Sequence, residues 1–430
     1  ARAALEGGAS GGRWRVGRLR FGLALLLYLA SLGFRESAIA LPLLAFGMEA
    51  WILDPARGSR SPGRLLRLAL YALPLGAYLA ARWSVVGTGP PTVPEVLAGA
   101  TGLQRRLHGC ETLLLYLGQL ALPVRLCAEY EDFTRLVRPS LGDARVLASL
   151  LLWPALAFLC LRLARRGKLV PVYAAAWFFL AILPASHLLF TIGTVRAERL
   201  LFFPSLGFAL ALACLLFSLR RVRPILPLAA LLPILGFYGW QTVRRNADWR
   251  SEDSLLAVSI RQNPGNARLW YSLGEARLKR GDGAGAEDAL RRAIALHESA
   301  GFFPADVHTT YAHALLLRGD RDGALARYRR VLEFDPRRFG ALAILGGILI
   351  QEPATRAEGI GLLQRAADAR PGHPLPHLRL ATAHRLAGDL PASLRSIEAA
   401  IRLEPELAES WIEKAQIHEA AGDAPSAAQA

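Results

Sequence analysis

The stretch LPASHLLFTIGTVRAERLLFFPSLGF, residues 183–208, decides how this chain can fold. It places Arg196, Glu198 and Arg199 between two apolar runs, each long enough to enter a membrane. Charges in such a position are costly, so they need a purpose or a partner. Two interpretations are open. The charges form a functional site, or they form a hydrophilic turn in which Glu198 pairs with an arginine only to lower its cost.

The composition divides the chain into two unlike halves. Its 430 residues are 53% hydrophobic with a mean hydropathy of +0.28, too apolar for an ordinary soluble domain and too polar for an all-membrane protein. The net charge of +16 comes largely from arginines at the ends of apolar segments. Because flanking charge of this kind sets membrane topology, we expect no nucleic-acid partner.

Eight apolar segments follow one another through the first half of the chain. Each is near the length that a helix needs to cross the hydrocarbon layer, and prolines interrupt or cap several of them, which suggests broken helices around a site. The segments are 19–34, 38–53, 65–81, 110–127, 146–163, 170–190, 200–219 and 225–240. This pattern predicts a multispanning helical membrane domain.

Basic clusters orient these segments. Residues 162–168 and 220–223 form two basic connections, so both should be cytoplasmic, which places the 196–199 loop and everything after Trp240 on the outer face. Counting forward from the basic N-terminus gives a topology that differs by one crossing. We resolve the difference by treating segment 110–127 as a re-entrant or interfacial helix, because it is short and carries Glu111 and Gln119.

A second periodicity of about 34 residues, the tetratricopeptide period, begins at Ala267. Small residues at helix-contact positions and prolines after the second helices support it. Further repeats start at Ala305, at about Gly340 and at Pro374, and a partial fifth opens at Ala408. This predicts an α-solenoid whose groove holds extended polypeptide. The array stops in mid-repeat, so we expect a truncated C-terminus.

The domain organisation follows from these two patterns. We predict a flexible basic segment at 1–18, a multispanning membrane domain at 19–243, a helical connector at 244–266 and a tetratricopeptide array at 267–430. Ser251 is the predicted N-cap of the connector helix.

The whole string at 183–208 resembles a signature of the transmembrane and tetratricopeptide-repeat O-mannosyltransferases, multispanning glycosyltransferases of the GT-C type. The resemblance continues in SLGFRESAIALPLL (31–44), where Arg35 replaces a family Lys and Glu36 is retained, and in YLGQLALPVRLCAEYEDF (116–133), where Glu129 and Tyr130 stand at the matching place. His187 stands where the family more often has Asn. The expected fold class is all-α, a GT-C-like membrane domain followed by a repeat solenoid.

The resemblance implies an enzyme that moves a sugar, expected to be mannose, from a polyprenyl-phosphate donor to protein Ser/Thr hydroxyls, at a membrane. Such chemistry needs cations for the phosphate leaving group and a carboxylate for the acceptor's proton. The candidates are Arg35, Arg82, Arg196 and Arg199 for the donor phosphate, Glu36 and Glu198 for the carboxylate, and Glu129, Tyr130, Tyr271, Glu275 and His313 for the acceptor.

A divalent metal ion is left open as a cofactor, because Glu198 could meet one. Three histidines in the repeats, His373, His377 and His384, are interpreted as surface residues, since no Cys or carboxylate completes a ligand set. The sequence therefore predicts no metal-binding residues of its own.

The acidic residues taken as catalytic in this family lie in an N-terminal extracytoplasmic loop, and nothing before Leu19 matches it. Three explanations are open: the chain is the C-terminal part of a longer protein, the catalytic base is drawn from elsewhere, or the activity is lost. We favour the first. The basic connection at 220–223 separately predicts extracytoplasmic repeats. Two other interpretations stay open. One is a non-enzymatic membrane scaffold whose repeats recruit partners, and the other is a transporter or lipid-linked polysaccharide ligase.

Overall fold

The computed structural model describes residues 21–33, 36–53, 62–86, 95–97, 99–131, 139–189 and 191–423. The predicted flexible segment 1–18 and Arg35 lie outside these residues, and of Glu36 only the backbone is described. All the regular structure described is helical, which confirms the all-α fold class. Contacts group the chain into two units, Ala1–Gly265 and Asn266–Ala430.

The first unit contributes ten α-helices to the described residues. They are α1 Phe21–Gly33, α2 Leu41–Met48, α3 Pro62–Leu70, α4 Ala72–Val86, α5 Gly102–Ala121, α6 Ala144–Arg165, α7 Leu169–Ile182, α8 Pro204–Ser218, α9 Leu226–Asp248 and α10 Glu252–Gln262. Four stretches are long and apolar enough to cross a membrane, namely Leu65–Val85, Ala144–Arg165, Pro204–Arg221 and Leu226–Asp248. The sequence count of eight crossings stays a prediction.

Helices α6 to α9 run up and down, with the basic residues at one end. A tight turn after α6 passes through Gly167 at φ +70°, and Lys168 N–H donates to Leu163 O at 2.9 Å, which closes the helix end. Arg220 and Arg221 follow the last turn of α8, at the same end of the helices as Lys168. The polar 183–203 connection between α7 and α8 therefore lies at the opposite end of the helices.

Helix α7 packs closely on its neighbours. A Cβ added to Gly207 of α8 would lie 2.6 Å from Phe178 N, so only glycine permits this approach of the two helices. The Tyr173 hydroxyl donates to Leu44 O of α2 at 2.9 Å, and the Trp177 indole donates to Phe203 O at 3.0 Å. These contacts hold α7 against α2 and against the start of α8.

The predicted segment 110–127 was wrong in its bounds, because the helix, α5, runs over Gly102–Ala121. Thr101 and Gln104 form a capping box, with each backbone N–H bound by the other side chain at 2.9 and 3.2 Å. The apolar window missed the first turns because they carry Arg105, Arg106 and His108. The interfacial orientation of this helix stays a prediction.

The second unit is a stack of antiparallel helix pairs. Its helices are α11 Ala267–Lys279, α12 Gly283–Ser299, α13 Ala305–Leu317, α14 Arg321–Phe334, α15 Phe339–Leu349, α16 Arg356–Ala369, α17 Pro374–Leu386, α18 Leu390–Leu403 and α19 Ala408–Ala420. Four of the five predicted repeat starts coincide with the first residue of a helix, and the third repeat begins at Phe339 instead of Gly340.

A Gly-Asp pair makes the turn inside most repeats. Gly281 adopts φ +76°, where a residue without Cβ costs little, and the next residue, Asp282, accepts the Gly285 N–H at 2.8 Å to cap α12. The same pair recurs at 319–320 and 388–389. The third repeat lacks it and turns through residues 351–355 instead. The Gly-Asp pairs therefore identify these turns from the sequence alone.

A tyrosine hydroxyl in the core between the repeats lacks a hydrogen-bond partner among the described residues. Tyr328 on α14 is fully buried, and its hydroxyl makes no hydrogen bond with any described residue. Burial raises the pKa of Tyr328, so the phenol stays neutral. An unsatisfied buried hydroxyl costs about 1–3 kcal/mol.

We therefore expect Tyr328→Phe to raise the free energy of unfolding of the repeats by about 1 kcal/mol. The measurement is a urea titration of the intact protein, followed by hydrogen exchange of α14 peptides. Tyr311→Phe is the matched control, because it removes the 3.3 Å bond from the Tyr311 hydroxyl to Glu287 and should lower stability. A loss of stability in Tyr328→Phe would contradict the assignment.

Candidate functional site

Two loops and one helix end meet at Glu198. The hydroxyl of Tyr130, from the loop after α5, donates to Glu198 Oε1 at 2.6 Å. Arg245, near the end of α9, places Nη2 3.6 Å from the same oxygen and Nη1 3.2 Å from Asp248. The Arg245 side chain is only 12% exposed. Glu198 therefore joins three segments that are far apart in sequence.

Arg196 lies on the face of Tyr130. Its Cζ is 4.3 Å from the ring centroid, a cation–π distance. Burial lowers the pKa of the Arg196 guanidinium, although an arginine keeps its charge in proteins. Among the residues that the structure describes, Arg196 makes no ion pair within 4.0 Å. A half-buried cation of this kind is suited to an anion from outside the chain.

Tyr130 is held as a hydrogen-bond donor. Burial, and then the neighbouring Glu198 carboxylate, raise the pKa of Tyr130, so its proton stays on the phenol. The same phenol oxygen accepts the Cys127 N–H at 3.0 Å. Tyr130 thus links the loop backbone to Glu198 and leaves its ring face to Arg196.

Two side chains, those of Tyr116 and His187, hold the backbone of the 195–198 segment in place. The Tyr116 hydroxyl on α5 accepts the Ala197 N–H at 3.1 Å, and His187 Nε2 lies 3.0 Å from Val195 O. His187 is buried and has φ +61°, a left-handed conformation that Asn and His tolerate better than most residues. This conformation gives a physical reason for Asn or His at this place.

The connector helix α10 holds the loop that carries Tyr130. Ser259 Oγ accepts the Ala128 N–H at 3.2 Å, and Asn263 Nδ2 donates to Glu131 O at 2.7 Å. Asn263 also reaches Glu129 O at 3.4 Å. The loop position therefore depends on α10.

The structure brings some of the predicted site residues together. Tyr130, Arg196 and Glu198 share one cluster, and Glu129 lies next to it in the loop. Arg199 follows Glu198 and is exposed. Arg82 is exposed on α4, where its guanidinium lies 3.4 Å from the Tyr78 hydroxyl.

Three predicted acceptor residues lie in the second unit. The Tyr271 hydroxyl donates to Glu275 at 2.9 Å, and the rings of His313 and Tyr328 are 6.0 Å apart. Burial lowers the pKa of His313, so this side chain is neutral at pH 7. These three residues belong to the second unit. Tyr130, Arg196, Glu198 and Arg245, which we call the Glu198 cluster, belong to the first.

Sequence reasoning missed Arg245, Ser259 and Asn263. Arg245 follows the last apolar segment, where a charged residue is ordinary, and in the connector the sequence indicates only the cap at Ser251. The structure confirms that cap, with Ser251 Oγ accepting the Ser254 N–H at 3.1 Å. One sequence feature could have indicated Arg245. It lies one turn from Asp248 at the end of an apolar helix, where the two side chains can pair.

The described residues do not supply a site for the divalent ion left open above. Within the parts of the chain that the structure describes, no group of three or more His, Cys, Asp or Glu side chains could hold a metal ion. The Glu198 carboxylate instead faces Tyr130 and Arg245.

Comparison with known proteins gives relatives for half of the chain. Protein O-mannosyl-transferase TMTC4 of Mus musculus is 31% identical over 227 residues, which cover 50% of this chain and 30% of that protein. Protein O-mannosyl-transferase Tmtc2 of Drosophila melanogaster is 38% identical over 149 residues, 34% of this chain and 15% of that protein. The chain thus matches less than a third of the length of either relative.

The repeats give a separate match. The tetratricopeptide repeat family matches residues 251–301 and 378–430. Among solved structures, PilW, a type IV pilus biogenesis factor, is 19% identical with a TM-score of 0.38, over 44% of this chain and 86% of that one. The chain therefore contains tetratricopeptide repeats and is similar in sequence to protein O-mannosyl-transferases, as its 183–208 signature predicts.

Proposed function

We propose that this protein is a multi-pass membrane glycosyltransferase that moves mannose from a polyprenyl phosphate to Ser or Thr hydroxyls of a polypeptide held by the repeats. The observation that carries the proposal is the cluster of Arg196, Tyr130, Glu198 and Arg245, which lies at the helix ends away from the basic connections. The names of the relatives support the reaction, and the helical membrane unit supports a lipid-linked donor.

The transfer breaks one bond and forms another. The acceptor hydroxyl oxygen attacks the anomeric carbon of the sugar, and the bond from that carbon to the phosphate oxygen breaks. Polyprenyl phosphate leaves with the electron pair, and a carboxylate takes the hydroxyl proton. In this scheme Arg196 faces the leaving phosphate, because a cation in a low-dielectric site stabilises developing negative charge strongly.

Glu198 is better suited to positioning than to proton transfer. Its Oε1 accepts the Tyr130 hydroxyl and faces Arg245, so the carboxylate is already engaged by two partners. Both partners face the same oxygen, Oε1, so they hold the carboxylate in one orientation. We therefore assign Glu198 to holding Tyr130 and Arg245 in place.

Topology completes the proposal. The basic ends of α6 and α8 favour the cytoplasmic side, so the Glu198 cluster and the chain after α9 would face outward. An extracytoplasmic repeat array can then present a polypeptide to the same side of the membrane as the donor's sugar.

The test is a transfer assay with the intact protein in lipid nanodiscs. We expect radiolabelled mannose to pass from polyprenyl-phosphate mannose to a Ser/Thr-containing peptide, and not to the same peptide with Ala at those positions. Polyprenyl-phosphate glucose serves as the donor control. If peptide binds but no polyprenyl-phosphate sugar is transferred, the scaffold interpretation replaces the enzyme.

A further inference from the structure

A polar cavity of about 260 Å³ lies between the end of α9, the 123–126 segment and α10. Arg244, Arg245 and Asp248 line it from α9, and Arg261 lines it from α10. We call it the basic cavity. Since one water occupies about 30 Å³, a phosphate group fits inside with room for its ester oxygen.

The walls of the basic cavity carry an excess of positive charge. Arg245 faces the carboxylates of both Asp248 and Glu198, whereas Arg244 and Arg261 make no ion pair with the residues that the structure describes, so two arginine charges are available to a ligand. Arg245 is the most buried of the three, and its Nε and Nη2 atoms make no hydrogen bond with the described residues. Buried guanidinium N–H groups without acceptors are uncommon, and an anion in the cavity would supply them.

The position of the basic cavity along α9 indicates where that anion comes from. Trp240 and Trp249 flank the cavity-lining residues on α9 and are 57% and 59% exposed. Arg244 lies 5.5 Å from the Trp240 ring and Arg245 lies 5.8 Å from the Trp249 ring. Exposed tryptophans at the end of an apolar helix mark the level of lipid headgroups. A lipid phosphate would be found at this depth.

We propose that the basic cavity binds the phosphate monoester of polyprenyl phosphate, the lipid that the transfer releases; this rests on the proposed function. A phosphate monoester carries about −1.5 to −2 charges at pH 7, whereas the sugar-linked donor is a diester with a single charge. The charges of Arg244 and Arg261, which have no carboxylate partner among the described residues, therefore match the released lipid better than the donor. The cavity also adjoins Glu198 through Arg245, so the leaving phosphate has a short path into it.

The experiment measures binding without transfer. Short-chain polyprenyl phosphate is titrated into nanodiscs that contain the intact protein, and the bound lipid is counted by native mass spectrometry. We expect Arg244→Ala and Arg261→Ala, both at exposed positions, each to weaken binding about tenfold. Arg125→Ala is the matched control, because Arg125 is exposed in the segment beside the cavity but does not line it.

Two competitors identify the ligand. Inorganic phosphate or phosphatidylglycerol that displaces polyprenyl phosphate at equal concentration would overturn the proposal, as would arginine variants that bind it like wild type. The outcome is separable from that of the proposed function. Arginine-dependent binding without any transfer leaves this inference standing alone, and transfer with arginine-independent binding removes the inference alone.

Discussion

Arg196→Ala should lower the rate of sugar transfer by about a hundredfold. Its guanidinium lies half-buried against the Tyr130 ring and makes no ion pair among the described residues, so its charge is available to the donor phosphate. Removing one preorganised donor from such a site costs about 10²–10³ in rate. Arg196→Lys should recover part of the loss, since it keeps the charge but not the planar contact with the ring.

The measurement is kcat and KM for the donor in the nanodisc transfer assay. Arg125→Ala provides a control at an exposed arginine of the same unit and should transfer normally. Hydrogen exchange of α11–α19 should be unchanged in all variants. Normal transfer by Arg196→Ala would contradict a donor-binding role for Arg196. The charges of the 196–199 loop would then indicate membrane topology only.

Glu287→Ala should destabilise the repeats by about 2–3 kcal/mol. The carboxylate on α12 is 6% exposed and accepts hydrogen bonds from Arg291, from Arg318 of the next repeat and from Tyr311. Removing one partner of a buried pair costs about 3–5 kcal/mol when the other charge stays buried. The loss is smaller here because Arg318 is half-exposed and can turn to water.

Lowering the pH should also destabilise the repeats. Burial raises the pKa of Glu287, but the hydrogen bonds from Arg318 and Arg291 outweigh it, and the pKa is lowered from 4.5 overall. The stabilisation is therefore present above pH 4.5 and is lost as the pH falls through the lowered folded value. Urea titrations at pH 7 and pH 3, followed by hydrogen exchange of α12–α14, measure it.

Glu358→Ala is the matched control for this pair. Glu358 forms an inter-repeat ion pair with Arg329 at 3.2 Å, but both side chains are about half-exposed, at 48% and 50%. Exposed pairs contribute about 0–1 kcal/mol. A Glu287→Ala loss no larger than the Glu358→Ala loss would contradict the role of burial.

The repeats were predictable because their information is local. Most turns carry their own Gly-Asp pair, and most repeats begin where the 34-residue period places them, as α17 at Pro374 and α19 at Ala408 show. Helix α5 shows the limit of this approach. Its start depends on the Thr101 and Gln104 capping box, which an apolar window does not register.

The candidate site was predictable only in part. The family resemblance identified Tyr130 and Glu198, but their hydrogen bond joins residues 68 positions apart and no periodicity indicates it. Arg245 was missed because only the packing of α9 brings its side chain close to Glu198. Ser259 was missed for the same reason, since it bonds a loop 131 residues away.

The most direct test of the account is to locate the bound donor. A polyprenyl-phosphate mannose with a photoreactive group on the sugar is bound to the intact protein in nanodiscs, irradiated, and the labelled peptides are sequenced. The Glu198 cluster predicts label in the 126–131 and 195–200 segments, reduced by Arg196→Ala and unchanged by Arg125→Ala. Label confined to other parts of the membrane unit, at equal levels in both variants, would contradict the claim that this cluster is the donor site.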